Sequence, residues 1–144
     1  MNSPMHGDRN KAVQLLDRWL ADDIMNSEFD DEWPYSSEDR AVVDIGRELW
    51  LHYSDSPKTR LKASDLSTEE LQLLNRCLAF LITSEDYEPV ATEEAVRWKR
   101  GFLAKLFGAP MRPWETLRLK ISPDRQKWWP FADEAQYRRV MRSD

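Results

Sequence analysis

His52, Ser54 and Asp55 stand together in "HYSD", and these are the residue types of a nucleophilic triad. A triad works when an imidazole takes the hydroxyl proton and a carboxylate orients the imidazole. Sequence neighbours rarely converge in that geometry, and the chain has no Gly-x-Ser-x-Gly turn to expose the serine. The pattern reads more simply as a helix C-terminus, with His52 near the negative end of the helix dipole and a Ser/Asp turn after it. A small enzyme with a carboxylate- or His52-centred cleft is therefore an alternative reading, and the balance leans away from an enzyme.

Metal chemistry needs His, Cys or carboxylates at ligand spacing. Cys77 is the only cysteine, and His6 lies at the N-terminus. Asp22, Asp23, Glu28, Asp30, Asp31 and Glu32 could gather a hard cation, but they lack the alternation and mid-loop glycine of an EF-hand. The four glycines, Gly7, Gly46, Gly101 and Gly108, are isolated, which excludes a glycine-rich phosphate cradle. The expectation is no catalytic residue, no metal and no cofactor.

Charge and aromatic rings carry the stronger signal. The net charge is −5. Residues 1–96 hold 21 acidic and 9 basic side chains, net −12, whereas residues 97–144 hold 5 and 12, net +7. The halves can pack on each other, or the basic half can serve an external anion. Seven tryptophans are many for 144 residues, and Trp, Tyr and Arg dominate binding energy at interfaces. The candidate interface residues are Trp33, Tyr35, Arg112, Trp114, Lys127, Trp128 and Trp129. Trp19 and Trp50 belong to the core, while Trp128 and Trp129 are expected to be the most exposed rings. Interleaved Arg, Lys and Trp also suit single-stranded nucleic acid, which the overall acidity disfavours.

The elements that position these residues are helical. Residues 1–9 read as a mobile leader and 10–144 as a single helical domain. Val13, Leu16 and Leu20 give a stripe for a helix over 10–24, followed by an acidic loop, "NSEFDDEWPYSS". A second helix spans 37–53, started by Ser36 or Ser37. "STEE" is a capping box, Ser67 with Glu70, opening a helix over 68–83. Thr92 caps a fourth helix, 93–107, ended by Gly108 and Pro110. Leu117, Leu119 and Ile121 alternate with Arg118 and Lys120 as in a half-buried strand. A last helix, 133–142, has Asp133 as cap and Gln136 at its third position. The fold class is mainly α: an irregular four- to five-helix bundle with an extended, partly strand-like C-terminal segment.

Two stretches echo each other, "WPYSSE" (33–38) and "WPFADE" (129–134). Both read as helix starts in which a ring, Tyr35 or Phe131, folds onto the first turn as a hydrophobic staple. Since one follows acidic and the other basic sequence, the two are expected to lie against each other.

"LLDRWLADD", "RCLAFLITSEDYEP" and the late "WWPF" resemble uncharacterised bacterial helical proteins with an RCL-x-FL core and a later Trp-Pro-Phe element. The resemblance covers about a third of the chain in pieces. It implies a bacterial, intracellular origin and carries over no activity and no site residue.

With no apolar N-terminal run, no segment near the roughly 20 apolar residues of a membrane span and no possible internal disulfide, the expected setting is cytoplasmic, away from membranes. The expected function is a non-enzymatic protein-binding or regulatory module, of adaptor or immunity type. Its partner is a protein, and its oligomeric state is open.

Overall fold

The computed structural model describes residues 4–53, 57–94 and 117–142. It is mainly helical. Helix α1 (Pro4–Leu20) leads through strand β1 (Ile24–Met25) into α2 (Asn26–Glu32) and α3 (Arg40–Leu49), which tightens into a 3-10 turn, Trp50–His52. Strand β2 (Arg60–Leu61), a second 3-10 turn and α4 (Thr68–Leu81) follow. Strands β3 (Thr92–Glu94) and β4 (Leu117–Leu119) precede α5 (Pro123–Gln126) and α6 (Glu134–Arg142). Two small antiparallel pairs form, β1 with β2 and β3 with β4, the latter matching Thr92 to Leu119 and Glu94 to Leu117. Among the described residues no helix is long and apolar enough to cross a membrane.

Helix α1 begins at Pro4, inside the stretch read as a leader. Proline suits a first helical position because its missing N–H would have had no intrahelical partner. Arg9 then fixes the turn. It is buried, its Nε donates to Asp39 Oδ2 at 2.6 Å, one Nη donates to the Thr83 carbonyl at 2.9 Å, and its guanidinium lies over the Phe80 ring. Ala12, Leu15, Leu16 and Trp19 continue the helix into the core. At its end Asp22 takes a left-handed conformation, φ 57°. The Asp22 and Asp23 amides donate back to the Trp19 and Arg18 carbonyls, the double bond of a Schellman turn.

The acidic loop is in fact helix α2. Phe29 is wholly buried and meets Trp19, Trp33 and Tyr53 at ring distances of 5.1, 5.2 and 5.6 Å. That aromatic cage offsets the poor helix propensity of "NSEFDDE". Its acids are partnered: Glu32 by Lys11, Glu28 by Arg18, and Asp30 by the Tyr53 hydroxyl. Among the described residues no group of three ligating side chains could hold a metal.

Helix α3 starts later than the serines predict. Asp39 is the cap, its Oδ1 accepting from the Ala41 amide, and Ser37 Oγ accepts from the Asp39 amide instead. Asp39 prevails because its second oxygen holds Arg9. The capping box on α4 is present as read: Ser67 Oγ accepts from the Glu70 amide and Glu70 Oε1 from the Ser67 amide. Thr92 caps no helix; it pairs in β3 with β4, which supplies the partner the alternating strand lacked. The remainder of the predicted fourth helix lies outside the described residues.

The two Trp-Pro motifs do not lie together. Trp33 packs over Gly46 of α3, while Trp129 Nε1 donates to the Tyr87 hydroxyl, which in turn donates to Asp44. Positions 44 and 46 are about 200° apart around a helix, so the motifs grip opposite sides of α3. Trp33–Pro34 is extended at Trp33, and Trp129–Pro130 is cis. The second motif does staple its helix, with Phe131 edge-on to Tyr137 at 5.3 Å. Asp133 Oδ1 caps α6 by accepting from the Gln136 amide. Tyr35 instead reaches Gly46, well beyond the first turn of α3.

Two stability predictions follow from α3. A Cβ at Gly46 would overlap the Trp33 indole nitrogen and stand 2.6 Å from its Cδ1 and 2.9 Å from Tyr35 Cε1. The indole is pinned by its hydrogen bond to the Val42 carbonyl and cannot withdraw. Gly46→Ala therefore destabilises by about 1–3 kcal/mol of overpacking, more than the roughly 1 kcal/mol that helix propensity returns. Urea unfolding followed by tryptophan fluorescence measures it, and unchanged or raised stability would show that Trp33 can move. Asp44→Ala takes the carboxylate from Arg40 and Arg47 and leaves the half-buried Tyr87 hydroxyl without its acceptor, and it costs about 3–5 kcal/mol in the same assay; a loss below about 1 kcal/mol would refute the central role given to Asp44.

Candidate functional site

An open cleft of about 710 Å³ runs between α4 and the C-terminal segment. Helix α4 supplies Glu69, Gln72, Leu73 and Arg76 from one side, spaced three and four residues apart. Ile121, Gln126, Lys127 and Trp128 face them, and Glu48 and His52 close one end. A smaller hollow of about 330 Å³ shares Gln72, Arg76, Lys127 and Trp128 and continues to Tyr137 and Met141. Trp128 is the ridge between the two.

The C-terminal wall is held by main-chain carbonyls. Arg76 Nε donates to the Trp129 carbonyl at 3.0 Å. Arg125 Nε donates to the Phe131 carbonyl at 3.0 Å, and its guanidinium covers the Tyr87 ring. Trp129, Pro130 and Phe131 are buried. Trp128 keeps one face on Tyr137, with ring centroids 5.4 Å apart, and is half-buried. Lys127 beside it is exposed, with no partner among the described residues.

At the other end His52 sits between two carboxylates. Its Nδ1 is 2.7 Å from Glu70 Oε2, and its Nε2 is 3.5 Å from Glu48 Oε2. The second contact is too long for a good hydrogen bond, and Nε2 is buried without a hydrogen-bond partner among the described residues. Burial would push the His52 pKa down, but the nearby carboxylates of Glu48 and Glu70 prevail and raise it. Burial would raise Glu70, but the Ser67 amide and His52 hold it low. Arg76 is shifted down by burial.

This geometry can hold a proton on His52, and among the described residues no free hydroxyl or thiol is shown beside it. Both ring nitrogens face carboxylates, and Ser67 Oγ is taken up by the Glu70 amide. Ser54 and Asp55 of "HYSD" lie outside the described residues. Cys77 is fully buried, and burial pushes its thiol pKa up, the opposite of an activated thiol.

The sequence-predicted interface residues separate into four groups. Lys127 and Trp128 line the cleft. Trp33 and Trp129 are core residues, 3% and 1% exposed, because each indole N–H has an internal acceptor, the Val42 carbonyl and the Tyr87 hydroxyl. For Trp129 this corrects the expected exposure. Tyr35 is half-buried, its hydroxyl 3.5 Å from Asp30 Oδ1. Arg112 and Trp114 lie outside the described residues. Sequence reasoning missed Gln72, Arg76 and Gln126; the signal available was the polar flank 69, 72 and 76 beside the leucine stripe of α4.

The sign of the His52 shift gives a pH prediction. A raised folded-state pKa contributes stability that is complete below the ordinary value of 6.5 and is lost as pH rises through the folded value. Glu70, held low, contributes above its ordinary 4.5 and loses that contribution as pH falls through its folded value. Stability is thus greatest between the two, and His52→Gln removes the decline on the alkaline side. Proton NMR titration of the His52 ring checks the shift directly, and a midpoint at or below 6.5 would contradict it.

No protein-family model, no curated protein and no solved structure matches the chain, and its own geometry is the ground for any functional reading.

Proposed function

We propose that the protein is a non-enzymatic binding module and that the α4 cleft is where it receives a protein partner. The observation that supports this best is Trp128. It is a half-buried indole between two hollows, beside an exposed Lys127 that has no partner among the described residues. A half-buried ring already held by its neighbours loses little entropy on binding, and tryptophans are enriched among the residues that dominate interface energies. An adaptor or immunity-type role in a cytoplasmic setting fits this arrangement.

A second reading rests on His52, which the Glu48 and Glu70 carboxylates would keep protonated and so suited to act as a general acid. Glu70 argues against it, since the same side chain caps α4 and is not free to change partners. Single-stranded nucleic acid is supported less well. It needs successive exposed rings along a basic groove, and Trp129 is buried while Arg125 is engaged with carbonyls.

Affinity capture from the source cells tests the proposal. Wild-type and Trp128→Ala/Lys127→Glu baits, both verified as folded by urea unfolding, are compared by mass spectrometry. Loss of a tryptophan hot spot costs about 2 kcal/mol or more, roughly 30-fold in affinity, so a specific partner should drop out of the variant's set. Identical sets would show that the cleft is not the contact site.

A further inference from the structure

We propose that the cleft selects an extended partner segment carrying one cationic and one anionic side chain three residues apart, the cation toward Glu69 and Glu48 and the anion toward Arg76 and Lys127. The inference rests on the reading of the cleft as a contact site and adds the chemistry of what it takes.

The cleft is electrically polar along its length. At one end Glu48 and Glu70 share a single imidazole, and Glu69 lines the same cleft without contacting it. Three carboxylates against one imidazolium leave that end net negative at any pH where the acids are ionised. Glu69 is exposed and has no partner among the described residues. At the other end Arg76 donates to the Trp129 and Gln126 carbonyls, which occupy two of its five N–H groups without cancelling its charge. Lys127 adds a second uncompensated cation. The protein thus holds two opposite charges in one groove and does not pair them with each other.

Their spacing sets the ligand. Glu69 and Arg76 are seven residues apart on α4, two turns on the same side and about 10 Å along the axis. An extended chain advances about 3.3 Å per residue and covers that distance in three. A helix would need seven residues for the same span, a difference in spacing that a series of peptides separates. Between the charged ends, Gln72 and Gln126 offer hydrogen bonds to a peptide backbone, while Leu73 and Trp128 offer apolar surface.

The test uses fluorescein-labelled peptides in which Lys and Glu are separated by zero, two or six Ser/Tyr residues, in both orders, titrated by fluorescence anisotropy at low salt. The two-residue spacer in one order should bind about tenfold more tightly than the others, as expected for two partly exposed ion pairs acting together. The Glu69→Lys/Lys127→Glu variant exchanges two exposed charges, so it should fold normally and, with Glu48, Glu70 and Arg76 still in place, lose the order preference. Equal affinity at all spacings, preference for the six-residue spacer, absence of binding, or an unchanged order preference in the exchanged variant would each overturn the proposal. A flat peptide panel together with a captured partner that Trp128→Ala releases would reject this ligand class alone and leave the cleft as a contact site.

Discussion

One buried carboxylate holds the two halves of the molecule together. Asp44 is fully buried on α3. Arg40 Nε donates to its Oδ1 at 2.8 Å, Arg47 stands 3.5 Å from the same oxygen, and the Tyr87 hydroxyl donates to Oδ2 at 2.8 Å. Tyr87 then accepts from Trp129 Nε1 at 3.1 Å. Burying a carboxylate costs several kcal/mol unless its oxygens are satisfied, and here one relay satisfies both while joining α3 to the loop after α4 and to the C-terminal segment. Burial and the Asp44 charge together push the Tyr87 pKa up, which keeps its hydroxyl a donor.

The exposed ring of the cleft is a consequence of that relay. Trp128 and Trp129 are adjacent, and their environments differ completely. Trp129 is drawn inward by Tyr87, and Phe131 packs edge-on against Phe80 at 5.3 Å. Arg76, four positions before Phe80 and one turn away on α4, fixes the Trp129 carbonyl. The "RCLAFL" and "WWPF" pieces are thus two sides of one joint. With Trp129 and Phe131 committed to the interior, Trp128 packs on the edge of the Phe80–Phe131 cluster beside Tyr137 and still lines the cleft.

What was legible in the sequence follows the range of the interaction. Ser67 with Glu70, and Asp133 with Gln136, act within one turn, and both helix starts lie where their residue types put them. Arg9 and Asp39 are 30 positions apart; no local pattern reveals that pair, so the first turns of α1 were read as a leader and the cap of α3 as a serine. Helix α2 was hidden for the same reason, since Phe29 depends on Trp19 and Tyr53 rather than on its own neighbours. In the candidate site, Lys127 and Trp128 were found from composition, and Glu48 stands four residues before His52, a helical spacing open to view. Glu70 and Arg76 reach the cleft only through the packing of α4. Trp33 and Trp129 misled because an indole's value at an interface and its value in a core look alike until its N–H acceptor is known.

The echo between the two Trp-Pro stretches has a mechanical meaning that a helix-start device alone does not supply. Each sends one indole against α3, from sides about 200° apart. Trp33 needs the missing side chain of Gly46 to approach, and its N–H ends on the Val42 carbonyl. Trp129 needs a polar bridge, because Asp44 occupies its side of the helix and an indole N–H cannot reach it except through Tyr87. Helix α3 is therefore clamped by one steric and one polar contact. The polar jaw also carries the cleft wall, so any change in the position of Asp44 is transmitted through Tyr87 and Trp129 to the placement of Trp128. The steric jaw is independent of the cleft. Substitutions at Gly46 should therefore cost stability without altering the cleft's selectivity, whereas substitutions at Tyr87 should alter both.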